Sequence, residues 1–396
     1  MLGLVAAACG GSDLSYTGST GQPIAATVAG NVFIVPAEVG SATGLSLIVD
    51  TGAPAVAIRA PAAPDAIRAN AINTVPSVKT LGLSISSLRV VGLDFFGDAV
   101  ALDGLLGCDV LCAFDLDLDY RAQKVVLDGP APTDGVEAEV KIPFELKGGG
   151  LEVFSGISEA VALKASRIVV PVELEGVTRH LIVDSGAAYP IVRSSIGSGL
   201  VADGRKVLDA NALAMGGVTT THTGRTKSLS VGGAAVTNIP IAWGDALDTL
   251  IDGAQQETDT SIDGLIGGSY LRSFYVSIGY SDRTLRLWRY TAQDHVVDEM
   301  QRVGIDLSTA RTESAAGRRI TFVHAGTDAA KKGLAPGDTL HAIDGVSVDQ
   351  IHPLALLTKL AGAAGSTHDL TLDCAACGVI GGKLTVGVDD LIPLVP

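Results

Sequence analysis

The chain has 396 residues, 47% of them hydrophobic and 18% charged, so it is long enough for two or three compact units that each bury a core. That apolar content excludes disorder through lack of burial, and the formal net charge of -15 excludes a partner that presents phosphates to a basic face. No apolar run approaches the roughly 18 to 20 residues of a membrane-spanning helix.

The first segment, "MLGLVAAACGGS", is a short run of small apolar residues ending at Cys9, followed by Gly10, Gly11 and Ser12. It resembles a secretory signal closing in a bacterial lipobox, which implies lipid on Cys9, export to the periplasm or cell envelope, and membrane contact only through that anchor. Residues 1–25 are read as this signal and a linker. Export suits the remaining cysteines, two close pairs at Cys108/Cys112 and Cys374/Cys377. Such pairs form local disulfides or stay inert thiols; no histidine follows at the spacing a zinc site needs.

Downstream the chain repeats itself. "VFIVPAEVGSATGLSLIVDTGAPAVAI" from Val32 is matched by "RIVVPVELEGVTRHLIVDSGAAYPIV" from Arg167, and Asp184 stands 134 positions after Asp50 in the same frame. Each copy reads as a strand, a glycine turn and a second strand that runs into an acid, a hydroxyl, a glycine and an alanine. Each also closes with a matched tail: "LDGLLGCDVLCAFDLDLDYRAQKVVL" holds Gly104 to Gly107, and "IDGLIGGSYLRSFYVSIGYSDRTLRLW" holds Gly264 to Gly267. A short helical turn and a hairpin are expected after each apolar-apolar-glycine segment.

These two D-[ST]-G-A motifs with matched tails, over about Val32 to Tyr290, resemble aspartic proteases of the pepsin and retroviral type. The resemblance implies a mainly β fold of two similar β-barrel lobes, residues 26–135 and 136–292. Asp50 and Asp184 would meet across a pseudo-two-fold axis and share one proton, because like charges about 3 Å apart cannot both ionise. One acid then takes a proton from a bound water while the other hydrogen-bonds the scissile carbonyl; no cofactor, metal or covalent intermediate is needed. Thr51 and Ser185 would link the two turns, Gly52 and Gly186 would let the backbones approach, and Gly107 and Gly267 would support them from beneath. Ala53 and Ala187 supply no hydroxyl to the carboxylates, so a less acidic optimum than that of a stomach-type enzyme is expected. The substrate would be a peptide or protein.

Catalysis of this kind calls for a hairpin that closes over the substrate. In the second copy "AMGGVTTTHTGRTKSLSVGG" from Ala214 offers one, with Gly216, Gly217 and Thr219 as the candidate residues that bind substrate. The first copy spends 57 residues between Asp50 and Gly107 against 83 between Asp184 and Gly267, and its interval carries no tyrosine, so its flap is expected to be lost. A non-catalytic peptide-binding or scaffold protein that keeps the fold is the alternative reading. No G-x-S-x-G, H-E-x-x-H or phosphate-loop signature accompanies the acids.

After a polar connector, "TAQDHVVDEMQRV", expected to be helical, comes "ITFVHAGTDAAKKGLAPGDTLHAIDGVSVDQI" from Ile320. With the "HPLALLTKLAG" helix pattern and the strands of "HDLTLDCAACGVIGGKLTVGV", it resembles a PDZ domain, and an α+β unit over residues 300–396 is expected. That resemblance implies capture of an extended, C-terminal peptide along a sheet edge, with Gly304, Ile305, Leu307 and His352 at the ligand and Asp306 as an unwelcome charge in the carboxylate loop.

Overall fold

The computed structural model describes residues 14–93, 100–152, 161–214, 217–310 and 317–395. It is mainly β, and its residues group into two compact units. Of the described residues, the first takes in those within 14–93, 102–196 and 226–293; the second takes in those within 100–101, 197–225 and 294–395.

In the first unit the repeat in the sequence becomes a repeat of pairings. Strand Val32–Val39 turns at Gly40, whose φ of 59° suits glycine, into the antiparallel strand Ala42–Val49. Leu47, Ile48 and Val49 then run parallel to the short strand Gly104–Leu106, which also meets Ala57–Ile58 antiparallel. The second repeat does the same: Arg167–Leu174 pairs with Val177–Val183, Leu181 to Val183 run parallel to Gly264–Ile266, and Ile191 lies opposite Leu265. These central strands are buried on both faces, which explains why "LIV" precedes each acid as an unbroken apolar run rather than an alternating one.

The two tails share one sheet. Leu116–Asp119 and Phe274–Gly279 pair antiparallel, from Leu116 opposite Ile278 to Asp119 opposite Tyr275, and each continues into its own hairpin.

Elsewhere the repeats diverge. Ala71–Thr80 and Leu83–Gly92 form a long hairpin whose end pairs with Ala37 to Val39, as Ser228–Val231 pairs with Val172 to Leu174 in the second repeat. Strand Ser15–Gly18 covers Leu83 to Ser86, so this hairpin is built into the sheet. Between Ile58 and Ala71 the first repeat has a 3-10 turn, Ala60–Ala62. At the corresponding place the second repeat carries a further hairpin, Leu208–Ala214 with Gly217–Arg225, which has no counterpart among the described residues of the first.

That hairpin groups with the second unit. Arg225, 2% exposed, donates from both ends of its guanidinium: Nε to Ile392 O at 2.6 Å and Nη2 to both Asp298 oxygens at 2.7 Å. The rest of the second unit is a sheet in the order 301–303, 379–390, 367–374, 339–343, 318–323, 305–307, over a core that includes Val303, Ile320, Leu340, Leu370, Leu372 and Val386. Thr327 caps the short helix Asp328–Lys331 by accepting from Ala330 N. The connector differs from the expected helix: it turns at Asp294–His295 and Glu299–Met300, and Gln301–Val303 are drawn into a strand by Asp390, Asp389 and Val388. The helix expected across His352–Gly362 is reduced to a 3-10 turn, Pro353–Ala355, and one α turn, Leu356–Lys359.

Candidate active site

Asp50 and Asp184 end the two parallel-paired strands, and each is fixed by the tail of its own repeat: Asp50 N donates to Leu106 O and Asp184 N to Ile266 O, both at 3.0 Å. After each acid the chain turns so that its next amides point back at the carboxylate. Gly52 N donates to Asp50 Oδ1 at 2.9 Å; Gly186 N and Ala187 N donate to Asp184 Oδ1 at 2.8 and 3.2 Å.

The two turns cross-link through their hydroxyls. Thr51 Oγ1 donates to Val183 O and accepts from Ser185 N, both at 3.0 Å; Ser185 Oγ donates to Val49 O at 2.7 Å and accepts from Thr51 N at 3.1 Å. Both side chains are sealed from solvent, at 1% and 0% exposure, so all four bonds are made in a low-dielectric setting where leaving one unmade is costly. The glycines show how close the acids come. A Cβ on Gly52 would sit 2.5 Å from the Asp184 carboxyl carbon, and one on Gly186 would sit 2.5 Å from that of Asp50. No side chain fits either position.

Burial raises the pKa of Asp50 well above the carboxylate range, and the neighbouring Asp184, by its charge and its hydrogen bond, raises it further. Burial raises Asp184 as well, while the Gly186 amide, the hydrogen bond from Asp50 and the Ala187 amide pull back on it. Two amides on Asp184 against one on Asp50 bias the shared proton toward Asp50. Arg167, which pairs with Glu257 at 2.6 Å, adds a positive field that favours ionisation of both acids.

Beneath the turns, Gly107 and Gly267 are pressed against backbone: a Cβ would meet Ala55 O at 2.3 Å and Tyr189 O at 2.2 Å. Two further acids do matching work that the sequence reading passed over. Asp103 Oδ2 accepts from Ser46 N at 2.9 Å, and Asp263 Oδ2 accepts from His180 N at 3.0 Å, tying each D-G pair to the strand leading to the active acid. The signal was present as the Asp before Gly104 and before Gly264. Tyr120 and Tyr280, also at matched places, are buried with hydroxyls that find no hydrogen-bond partner.

Of the other sites expected from the sequence, Cys9 and Gly216 lie outside the described residues. Gly217 and Thr219 stand on the hairpin strand Gly217–Arg225, opposite Ala214 and Ala212. In the second unit Gly304 separates two strands and packs so closely on Thr327 that a Cβ would come within 2.5 Å of it. Ile305 and Leu307 are buried on the edge strand. Asp306 between them is bound by Arg302 Nη2 at 2.6 Å and His324 Nε2 at 3.3 Å; burial pushes its pKa up, but the Arg302 charge and the hydrogen bonds of these two partners outweigh it and hold the carboxyl below its usual range. His352 Nδ1 accepts from Leu354 N, capping the 3-10 turn, and burial together with the Arg318 charge lowers its pKa. Both close cysteine pairs are disulfides, with Cα separations of 4.7 Å for Cys108–Cys112 and 5.3 Å for Cys374–Cys377. Asp338 approaches the second pair as a metal ligand would, but sulfurs bonded to each other offer no thiolate.

A family model described as aspartyl protease matches residues 170–270, the stretch that holds Asp184 and the Gly264–Gly267 tail. Among solved structures, a retropepsin-like aspartic protease from Rickettsia conorii is similar at 17% identity over 40% of this chain and 97% of its own, with a TM-score of 0.26. An aspartic proteinase from Irpex lacteus is similar at 15% identity over 69% of this chain and 99% of its own, with a TM-score of 0.45. No curated protein matches the chain. The family match supports a peptide hydrolase.

Proposed function

We propose that the protein is an aspartic endopeptidase in which Asp50 and Asp184, at the junction of two similar lobes, activate one water for attack on a peptide bond. The observation that carries this reading is reciprocal: each acid occupies the space a side chain on the other turn's glycine would need. In that arrangement the ionised Asp184 accepts a proton from a water held between the carboxyls, and the protonated Asp50 donates to the scissile carbonyl oxygen. The resulting gem-diol collapses as a proton passes to the leaving nitrogen, and the pair ends with one proton, as it began.

The second unit, read as a PDZ-like domain, takes an extended peptide beside the edge strand Ile305–Leu307 and selects or delivers substrate. The Cys9 segment anchors the mature protein to the cell envelope through lipid.

The test is cleavage of casein or a peptide library between pH 3 and 7 by the full chain, with Asp50→Asn and Asp184→Asn as controls. Each substitution should lower kcat/KM by about a thousandfold or more. Cleavage that survives either change removes the pair from the mechanism. A wild-type protein that binds peptides and cleaves none favours the binding-protein reading.

A further inference from the structure

The segment that follows Asp50 is held at both ends by one four-residue helix, Cys108–Leu111. Cys108 N donates to Ala53 O at 2.9 Å, and Asp109 Oδ1 accepts from Val56 N at 2.9 Å. Gly107, just before the helix, is already in contact with Ala55 and leaves no slack. Such a short helix has too few internal hydrogen bonds to stand by itself. Here its first residue and its C-cap, Cys108 and Cys112, are joined covalently. The second repeat has the same support made differently: Gly268 N donates to Ala187 O at 2.7 Å, and Arg272 stands where Cys112 does, donating from Nη1 to Asn31 Oδ1 at 2.5 Å. Only the first acid-bearing turn rests on a bond that a reductant can open.

We propose that the Cys108–Cys112 disulfide is a redox-sensitive positioning element for Asp50, so that proteolysis runs in the oxidised protein and falls when this bond is reduced. The inference rests on the proteolytic reading of Asp50 and Asp184. Cys112 is half-buried and Cys108 buried, which directs an incoming dithiol to Cys112 Sγ. Its thiolate attacks that sulfur, the S–S bond breaks, and Cys108 leaves as thiolate. The reagent's second thiolate then displaces Cys112 from the mixed disulfide. Two electrons pass to the protein, two protein thiols form once the thiolates are protonated, and the dithiol ends as its own disulfide.

The experiment uses the full chain with Cys9 alkylated first, assayed by peptide cleavage across pH before and after dithiothreitol, with free thiols at each position counted by mass spectrometry. Reduction at Cys108 and Cys112 should lower kcat/KM by about tenfold, the scale expected when a reacting group shifts by a fraction of an ångström. The alkaline limb of the pH profile should move upward, because a loosened turn presents Gly52 N less well to the Asp50 carboxylate and so favours the protonated form that the reaction needs; mere loss of stability would not move it. Cys108→Ser/Cys112→Ser should show the reduced rate with and without reductant, and Cys374→Ser/Cys377→Ser should respond like the wild type. Wild-type protein carrying free thiols at both 108 and 112 that keeps the oxidised rate and profile overturns the proposal and leaves the endopeptidase standing. Absence of cleavage in either redox state overturns both.

Discussion

In the first repeat the residues after the acid, Ala53 to Val56, are held by a helix that a disulfide staples shut and that lends a carboxylate to Val56 N. In the second repeat Ala187 to Pro190 are held by a helix of Gly268, Ser269, Tyr270 and Leu271, where Ser269 N meets Ala188 O and the Tyr270 hydroxyl reaches Ala234 O. Common to both are the glycine amide that donates back to the carboxylate, the crossed hydroxyls, the glycine beneath and the acid in the tail. Apart from the second amide that Ala187 gives Asp184, the differences lie one layer out. The constraint on the chemistry is therefore local, and the means of meeting it are free: a disulfide and a carboxyl group in one repeat, an aromatic hydroxyl and a guanidinium in the other. The same freedom appears further away, where one repeat has only a 3-10 turn and the other the 208–225 hairpin.

The most direct way to break the equivalence at the centre is to fill the space each glycine leaves. Gly52→Ala should push on Asp184 and Gly186→Ala on Asp50, since each added Cβ would fall 2.5 Å from a carboxyl carbon. Both should cut kcat/KM by about a hundredfold, the effect of displacing a reacting group by about 1 Å. If one repeat were only a scaffold, one of the two variants would keep near wild-type rates; kinetics on the pair decides it.

A gentler cut removes the crossed hydroxyls. Thr51→Ala and Ser185→Ala each delete two buried bonds and strand a backbone amide of the opposite turn, so each should lower stability by about 2 to 3 kcal/mol. Because the hydroxyls serve one network, the double variant should lose less than the two losses combined. Urea melts of the single and double variants test this; full additivity would mean that the turns are not coupled.

How much of this could be read in the letters depends on how local each cause is. The acid pair, the hydroxyls and glycines beside it and the glycines of the tails were legible because a repeat in one frame exposes residues whose neighbours along the chain are also their neighbours in space. Asp103 and Asp263 stood in plain view within the repeated tails but were not singled out, since an Asp before Gly is common in turns. The pairing state of Cys108 and Cys112 was left open because spacing allows a disulfide without requiring one. Least legible was the grouping of residues 197–225 with the C-terminal sequence: it is carried by Arg225, whose partners Asp298 and Ile392 are remote along the chain. Ile305 and Leu307 were expected in a ligand-binding loop and are instead buried on an edge strand; the pairing of Asp306 with Arg302 and His324 was not legible, because it needs three residues brought together by folding.

The smallest effect separates the outer layers of the two repeats by pH. Burial raises the Asp109 carboxyl from 3.8 to about 7, its amide bonds opposing only in part, whereas Ser269 at the matching place carries no titrating group. An acid whose folded pKa is raised keeps its proton in the native protein after the unfolded chain has released it, so its contribution is intact below about pH 4 and lost as pH rises toward 7. Asp109→Asn retains an oxygen for Val56 N and has no proton to lose. It should match the wild type near pH 4 and exceed it at pH 7 and above, by about 1 to 2 kcal/mol after allowance for the solvent that reaches this half-buried group. Thermal melts at pH 4, 5.5 and 7 give the sign directly: a difference that grows with pH places the titrating charge in the first repeat, and one that shrinks or stays flat rejects it.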